Sequence, residues 1–247
     1  MTTVILFVLG LIIGSFLNVL GLRWNSGRGV GGRSFCVVCE KTLPWYELVP
    51  VVSFLGLGGK CSRCKTKISW QYPLVELWTG LIFATVPILA IPIFCIYVVI
   101  TIYDLRHKII PDNLVYSAII LSIFYRYITG GGMIDWLMGP IIFSFFGLIW
   151  LASKGRAIGF GDAKLGLSIG LLLGGSLGAS AFALAFWIGA SVSLLILLFG
   201  KLGFSLFKRA KGLTMKSEIP FAPFLILGAW LAVVYQLDIL HVAYFFN

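Results

Sequence analysis

The chain has 247 residues, of which 60% are hydrophobic and only 11% charged. A soluble core of this size has no use for so much apolar surface, so the composition points to the bilayer as solvent and excludes an ordinary soluble enzyme. The formal net charge of +10 would suggest nucleic acid in a soluble protein. Here it reads as loops held on the cytoplasmic side, and no nucleic-acid partner is expected.

The N-terminal MTTVILFVLGLIIGSFLNVL has no basic n-region and no A-x-A-like cleavage site, so it reads as a first span rather than a targeting peptide. Apolar segments run at 3–22, 73–90, 91–104, 112–129, 134–153, 162–175, 176–200 and 220–238. The expected fold is an all-α polytopic membrane protein with about eight transmembrane helices. It divides into a first transmembrane helix (1–22), a cytoplasmic cysteine-rich loop (23–72) and a transmembrane core (73–247). Pro87 and Pro92 separate the second segment from the third, because proline interrupts the helical ladder. The third and sixth are short for a hydrocarbon layer of about 30 Å, a length found where membrane proteins build a site or cavity.

With the N-terminus outside, the inside loops are 23–72, 105–111, 154–161 and 201–219. Of the 19 Lys and Arg, only Arg126 then falls near an outside end, in agreement with the positive-inside rule. GLLLG and GGSLGAS in the sixth and seventh segments are either close helix contacts or the ordinary glycine content of membrane helices.

Within 23–72 stand CVVC (Cys36, Cys39) and CSRC (Cys61, Cys64). Two such hairpins can bring four thiolates into the tetrahedron that structural zinc prefers, and a loop too short for a large core gains folding energy from a metal. Reduced thiols or a redox pair are the alternatives. Lys60, Arg63, Lys65 and Lys67 would offset thiolate charge. They could also meet anionic lipid headgroups or form a solvated face. Cys95, alone in an apolar run, reads as packing.

Two further stretches carry carboxylates at the inner boundary. In TIYDLRHKIIPDN, Asp104 closes the third segment, and Pro111 and Asp112 precede the fourth, with Asp112 placed as a helix cap. In IGFGDAKLG, Asp162 and Lys164 open the sixth. Two carboxylates in one confined site can activate water and polarise an amide carbonyl, which is aspartic protease chemistry. The structural alternatives are Asp162 as a cap and Asp104 paired with Arg106, His107 or Lys108. Carboxylate-dependent transport is the functional rival. Gly159 and Gly161 could let the backbone turn tightly and admit a substrate chain. Lys164 could act on a carboxylate or extend to headgroups. His107 reads as a polar loop residue and His241 as unremarkable.

Over nearly its whole length the chain resembles the bacterial prepilin peptidases, or type IV leader peptidases, which are GxGD-type membrane aspartic proteases. The resemblance rests on GSFLNV (Gly14 to Val19), LPWYELVPVVSFLGLGGKCSRC (43–64), ISWQYPLVELWTG (68–80), DLRHKIIPD (Asp104 to Asp112), GFGDAK (Gly159 to Lys164) and IPFAPFLILGAW (219–230). Val37 stands where the family's first cysteine pair usually has proline, Trp24 where a proline often follows the arginine, and Ala222 where glycine is customary.

The resemblance implies that Asp104 and Asp162 are catalytic and that the cysteine loop binds zinc. It also implies cleavage of short basic leaders from type IV prepilins and from pseudopilins of secretion or DNA uptake. Many such enzymes then methylate the new N-terminus with S-adenosylmethionine. The implied setting is the bacterial inner membrane, among its lipids, with the active site facing the cytoplasm. No glycine-rich fingerprint after a strand marks a methyl-donor site.

Overall fold

The computed structural model describes residues 1–25, 31–201 and 220–239. Residues 202–219 of the fourth inside loop, Ile219 of the IPFAPF stretch among them, and His241 lie outside that set. The described elements are helical: α1 (Thr2–Arg23), α2 (Val52–Gly56), α3 (Gln71–Thr85), α4 (Ile91–His107), α5 (Asp112–Thr129), α6 (Met133–Ser153), α7 (Phe160–Leu173), α8 (Gly175–Lys201) and α9 (Ala222–Tyr235). Extended pairing among the described residues is limited to the isolated bridges Phe35–Thr42 and Lys60–Lys67.

Each of the eight apolar segments contains a helix. Among the described residues four are long and apolar enough to cross a membrane: Thr2–Arg23, Ile88–His107, Met133–Ser153 and Gly175–Ile196. The break expected at Pro87 and Pro92 is present: α3 stops at Thr85 and a 3-10 turn at Ile88–Ala90 leads into α4. Two boundaries differ from expectation. Asp104 does not close its helix, because α4 continues to His107; exposed polar residues at a membrane surface can still complete a helical turn. The helix of the sixth segment, α7, begins at Phe160 and, with 14 residues, is about 21 Å long at 1.5 Å per residue.

The chain forms two compact units, Met1–Ile102 and Tyr103–Asn247. In the first, α1 packs on α3 at glycine contacts: a Cβ on Gly10 would lie 2.8 Å from the Gly80 Cα, and one on Gly14 would lie 2.9 Å from the Glu76 Cα. Small residues of this kind let membrane helices approach closely. The fully buried Asn18 is satisfied by the start of α3, donating to the Tyr72 carbonyl at 3.3 Å and accepting from Gln71 at 3.1 Å.

In the second unit α7 packs against α5, α6, α8 and α9. Its glycines allow this: a Cβ on Gly166 would lie 2.6 Å from Ile142, and one on Gly170 would lie 2.6 Å from the Gly139 Cα. Gly170 of GLLLG is therefore a helix contact, whereas Gly174 ends the helix at φ +80. Phe146, fully buried, gathers Phe182, Phe186 and Phe221 around it, with ring centroids 5.4 to 6.0 Å apart.

Three polar ties join α5 to α7. Lys164 donates to Asp112, the hydroxyls of Ser122 and Ser168 lie 2.9 Å apart, and Arg126 donates to the carbonyls of Leu171 (3.0 Å) and Leu172 (2.9 Å). The partners ascend in the same order along both helices, so α5 and α7 run parallel, with α6 as the return between them.

Candidate active site

The first cysteine pair lies in a knuckle at residues 35–42, the second in a knuckle at 60–67. The two are built alike. In each, the first cysteine's N–H donates to the carbonyl five residues on (Cys36 to Lys41, Cys61 to Thr66), and its carbonyl accepts from the residue four on (Glu40, Lys65). That fourth residue has positive φ in both, +54 at Glu40 and +58 at Lys65.

The four sulfurs lie within 4.8 Å of one another, with Cys36–Cys64 at 3.8 Å and Cys39–Cys61 at 4.0 Å. These separations are far beyond a disulfide bond of about 2.05 Å. They are close to the roughly 3.8 Å edge of a tetrahedron with metal–sulfur bonds of about 2.3 Å. The donor set therefore fits a tetrahedral thiolate metal.

Hydrogen bonding with Thr66, first through its side chain and then its backbone, holds the Cys64 thiol down at about 6. The backbone N–H groups of Cys39 and Val38 lower that of Cys36. Cys39, although a backbone bond at Lys41 favours its thiolate, is pushed up to about 11 by burial and the neighbouring sulfurs. Lys60, Arg63, Lys65 and Lys67 are exposed. The cation that organises the module is Lys41, which donates to Glu47 and to Ser62, both at 2.7 Å, and so ties the first knuckle to the 3-10 turn at Trp45–Leu48 and to the second knuckle. Its hydrogen bond holds the Glu47 carboxyl below the usual range.

The module's attachment includes a strained turn. Val51 has φ +61 and ψ −49, and the Val52 N–H reaches the Pro50 carbonyl at 2.6 Å; this is a γ-turn of the uncommon, strained form. Buried Glu76 of α3 accepts the Val51 N–H at 2.8 Å.

In the second unit, the structure brings the two predicted aspartates together. Asp104, 4% exposed, lies in the last turn of α4, and Asp162 lies in the first turn of α7. Their charges are near enough to repel. Asp104 Oδ2 is buried without a hydrogen-bond partner, and Arg106, His107 and Lys108 are exposed. The backbone N–H of Ala222 faces the Asp104 carboxyl, and that of Gly159 faces Asp162. Ala222 was readable only as a departure from the customary glycine. Its contribution is a main-chain N–H, which either residue supplies.

Two expectations are corrected. Asp112 is not a side-chain cap: Pro111 is the N-cap of α5, and Asp112 Oδ1 accepts from Lys164 Nζ at 2.6 Å. Gly159 is the N-cap of α7 at φ −72, open to any residue. Gly161 is needed for closeness rather than for turning, since its added Cβ would lie 3.0 Å from that of Ile110.

Two family models divide the chain. Bacterial Peptidase A24 N-terminal domain matches residues 8–90, which hold all four clustered cysteines, and Type IV leader peptidase family matches 89–199, which hold both aspartates. A prepilin leader peptidase/N-methyltransferase of Bacillus subtilis (strain 168) is 31% identical, over 94% of this chain and 93% of the relative. The chain belongs to the type IV leader peptidase family.

Other leader peptidases agree. The prepilin leader peptidase/N-methyltransferase of Myxococcus xanthus (strain DK1622) is 34% identical over 79% of this chain and 63% of its own length. That of Pseudomonas aeruginosa is 27% identical over 92% and 88%. No solved structure matches the chain. As a leader peptidase the chain is a multi-pass membrane protein. No strand followed by a glycine-rich loop occurs among its described residues.

Proposed function

We propose that the chain is a membrane aspartic endopeptidase that removes the basic leader from type IV prepilins or pseudopilins and then N-methylates the new N-terminus. The observation that carries the peptidase is the meeting of Asp104 and Asp162 from helices separated by two others in sequence. One aspartate, ionised, takes a proton from water as the water oxygen attacks the scissile carbonyl carbon. The other, protonated, gives its proton to the carbonyl oxygen. When the tetrahedral intermediate collapses, the C–N bond breaks, the first aspartate passes its proton to the leaving amine, and the second recovers a proton from the intermediate's hydroxyl as the carboxylic acid forms. Both aspartates lie at helix ends near the water boundary, where hydrolysis can draw its water.

About eight membrane crossings follow from the apolar segments, a cytoplasmic face for the aspartates from the distribution of Lys and Arg, and an inner-membrane location from the resemblance to the leader peptidases. In that arrangement residues 23–72 form a cytoplasmic module, 1–22 the first crossing and 73–247 the membrane core. Surrounding lipids and the helix of the precursor are its membrane-phase partners. Zinc is the metal proposed for Cys36, Cys39, Cys61 and Cys64, because four thiolates in a tetrahedron suit it and its role there is structural. Methylation rests on the relatives' shared name, and S-adenosylmethionine is the donor that the resemblance implies.

The test is cleavage of a synthetic prepilin by purified protein, read by mass spectrometry with and without the methyl donor. Asp104→Asn and Asp162→Asn should each abolish cleavage while leaving the protein in the membrane. Normal cleavage by either variant would sink the pair. An unmethylated product from an active enzyme supplied with donor would remove the second activity.

A further inference from the structure

The segments 104–112 and 159–164 meet at three places. Asp104 lies within electrostatic reach of Asp162, Ile110 packs on Gly161, and Asp112 binds Lys164. One short stretch thus supplies the first carboxylate at one end and holds the helix of the second carboxylate at the other. We propose that Lys164 is a positioning residue of the cleavage reaction: by gripping Asp112 it fixes the rotation of the first turn of α7, and with it the direction in which Asp162 meets Asp104. This rests on the peptidase assignment above and adds to it.

The helix geometry makes the lever. At about 100° per residue, Asp162 and Lys164 project about 200° apart, so a slip on the lysine side swings the aspartate by the same angle. The grip is built into the fold. Lys164 keeps only 13% of its side chain exposed. Its ammonium stands 4.8 Å from the centroid of the Tyr116 ring and 5.4 Å from that of Phe160, the geometry of a cation held by ring faces. Tyr116 lies one turn beyond Asp112 on α5, so two residues of α5 hold the same cation. With its ammonium occupied by Asp112 and two rings, Lys164 acts through Asp162 rather than on the substrate.

The experiment is a double-mutant cycle on the purified full-length enzyme in lipid nanodiscs, with a synthetic prepilin as substrate. Lys164→Met should lower kcat on the order of 10–100-fold, the scale of a misplaced catalytic group, with KM within about twofold. Asp112→Ala should do the same, and the double variant should fall no further than the worse single one, as expected of two residues acting through one contact. Wild-type kcat in Lys164→Met overturns the proposal. So does a normal kcat in Asp112→Ala beside a deficient Lys164→Met, and so do losses that multiply. If Lys164→Met does not accumulate, Asp112→Ala decides, because the Asp112 side chain is 61% exposed and its loss leaves the fold in place. Asp162→Asn is run in parallel. Cleavage by that variant would defeat the peptidase assignment, whereas an inactive Asp162→Asn beside a fully active Lys164→Met defeats the positioning role alone.

Discussion

Gly161 and Ile110 are in contact so close that a methyl group on Gly161 would come within 3.0 Å of the Ile110 Cβ. Gly161→Ala therefore has to push Ile110, which is buried, and Asp162 is the next residue along. Overpacking of this kind costs about 1–3 kcal/mol. Prepilin cleavage by Gly161→Ala should be reduced, and Gly161→Val should be worse. Gly159→Ala should cost less than Gly161→Ala, because its Cβ would meet only Asp162 Oδ2, at the ordinary distance of 3.4 Å, and its φ is negative. Rates for the three variants, measured side by side, check the order. Equal losses at 159 and 161 would remove packing as the explanation.

Arg126 was legible only as the one cation out of place. It is 7% exposed and its guanidinium supplies donors to the last carbonyls of α7, with a further bond to the Gly130 carbonyl at 3.3 Å. Arg126→Leu leaves two buried acceptors unserved and should destabilise the protein by about 2–4 kcal/mol. Arg126→Lys should recover little, since an ammonium cannot present the same fork of donors. The unfolding midpoint in detergent measures both.

The cysteine module should carry about one zinc per chain. Cys61→Ser or Cys36→Ser should remove it and expose the loop to protease. Zinc should also leave as pH falls, because protons compete for the thiolates. The Lys41–Glu47 pair acts in the same direction. The Glu47 carboxyl is held below its usual range, so its contribution is complete above about pH 4.3, the ordinary glutamate value, and is lost as pH falls through the lower folded value. Metal content against pH, with loop proteolysis alongside, is the measurement. Full zinc occupancy in Cys61→Ser would reject the site.

Glu76 serves the Val51 N–H inside a strained turn. Glu76→Ala would leave that donor without its acceptor and should cost about 1–3 kcal/mol, seen as faster proteolysis of the loop before α3. Glu76→Gln retains an acceptor oxygen and should lie nearer to the parent protein. Equal proteolysis of the two variants would show that Glu76 does something else.

The sequence reading went furthest where chemistry is concentrated in short strings. DLRHKIIPD, GFGDAK and the paired cysteines each declared their residue types and spacing, and the structure gathers each group. It failed where the partner is distant or carries no side-chain signature. Asp112 looked like a cap because Pro111 precedes it, yet its partner Lys164 is 52 residues away. Arg126 and Asp104 face main-chain groups, at Leu171 and Leu172 and at Ala222, and a backbone carbonyl or N–H has no letter in the sequence. Lys41 was hidden among exposed lysines, because only folding shows which cation lies between Glu47 and Ser62.

The parallel pairing of α5 and α7 also limits how the site can open. With Lys164 held at one end, Ser168 in the middle and the last carbonyls at the other, α7 can neither slide along α5 nor turn about its own axis without breaking a tie. The two helices behave as a single jaw. Room for an incoming peptide must then be made by displacement of other elements around that jaw, while Asp162 stays where it is.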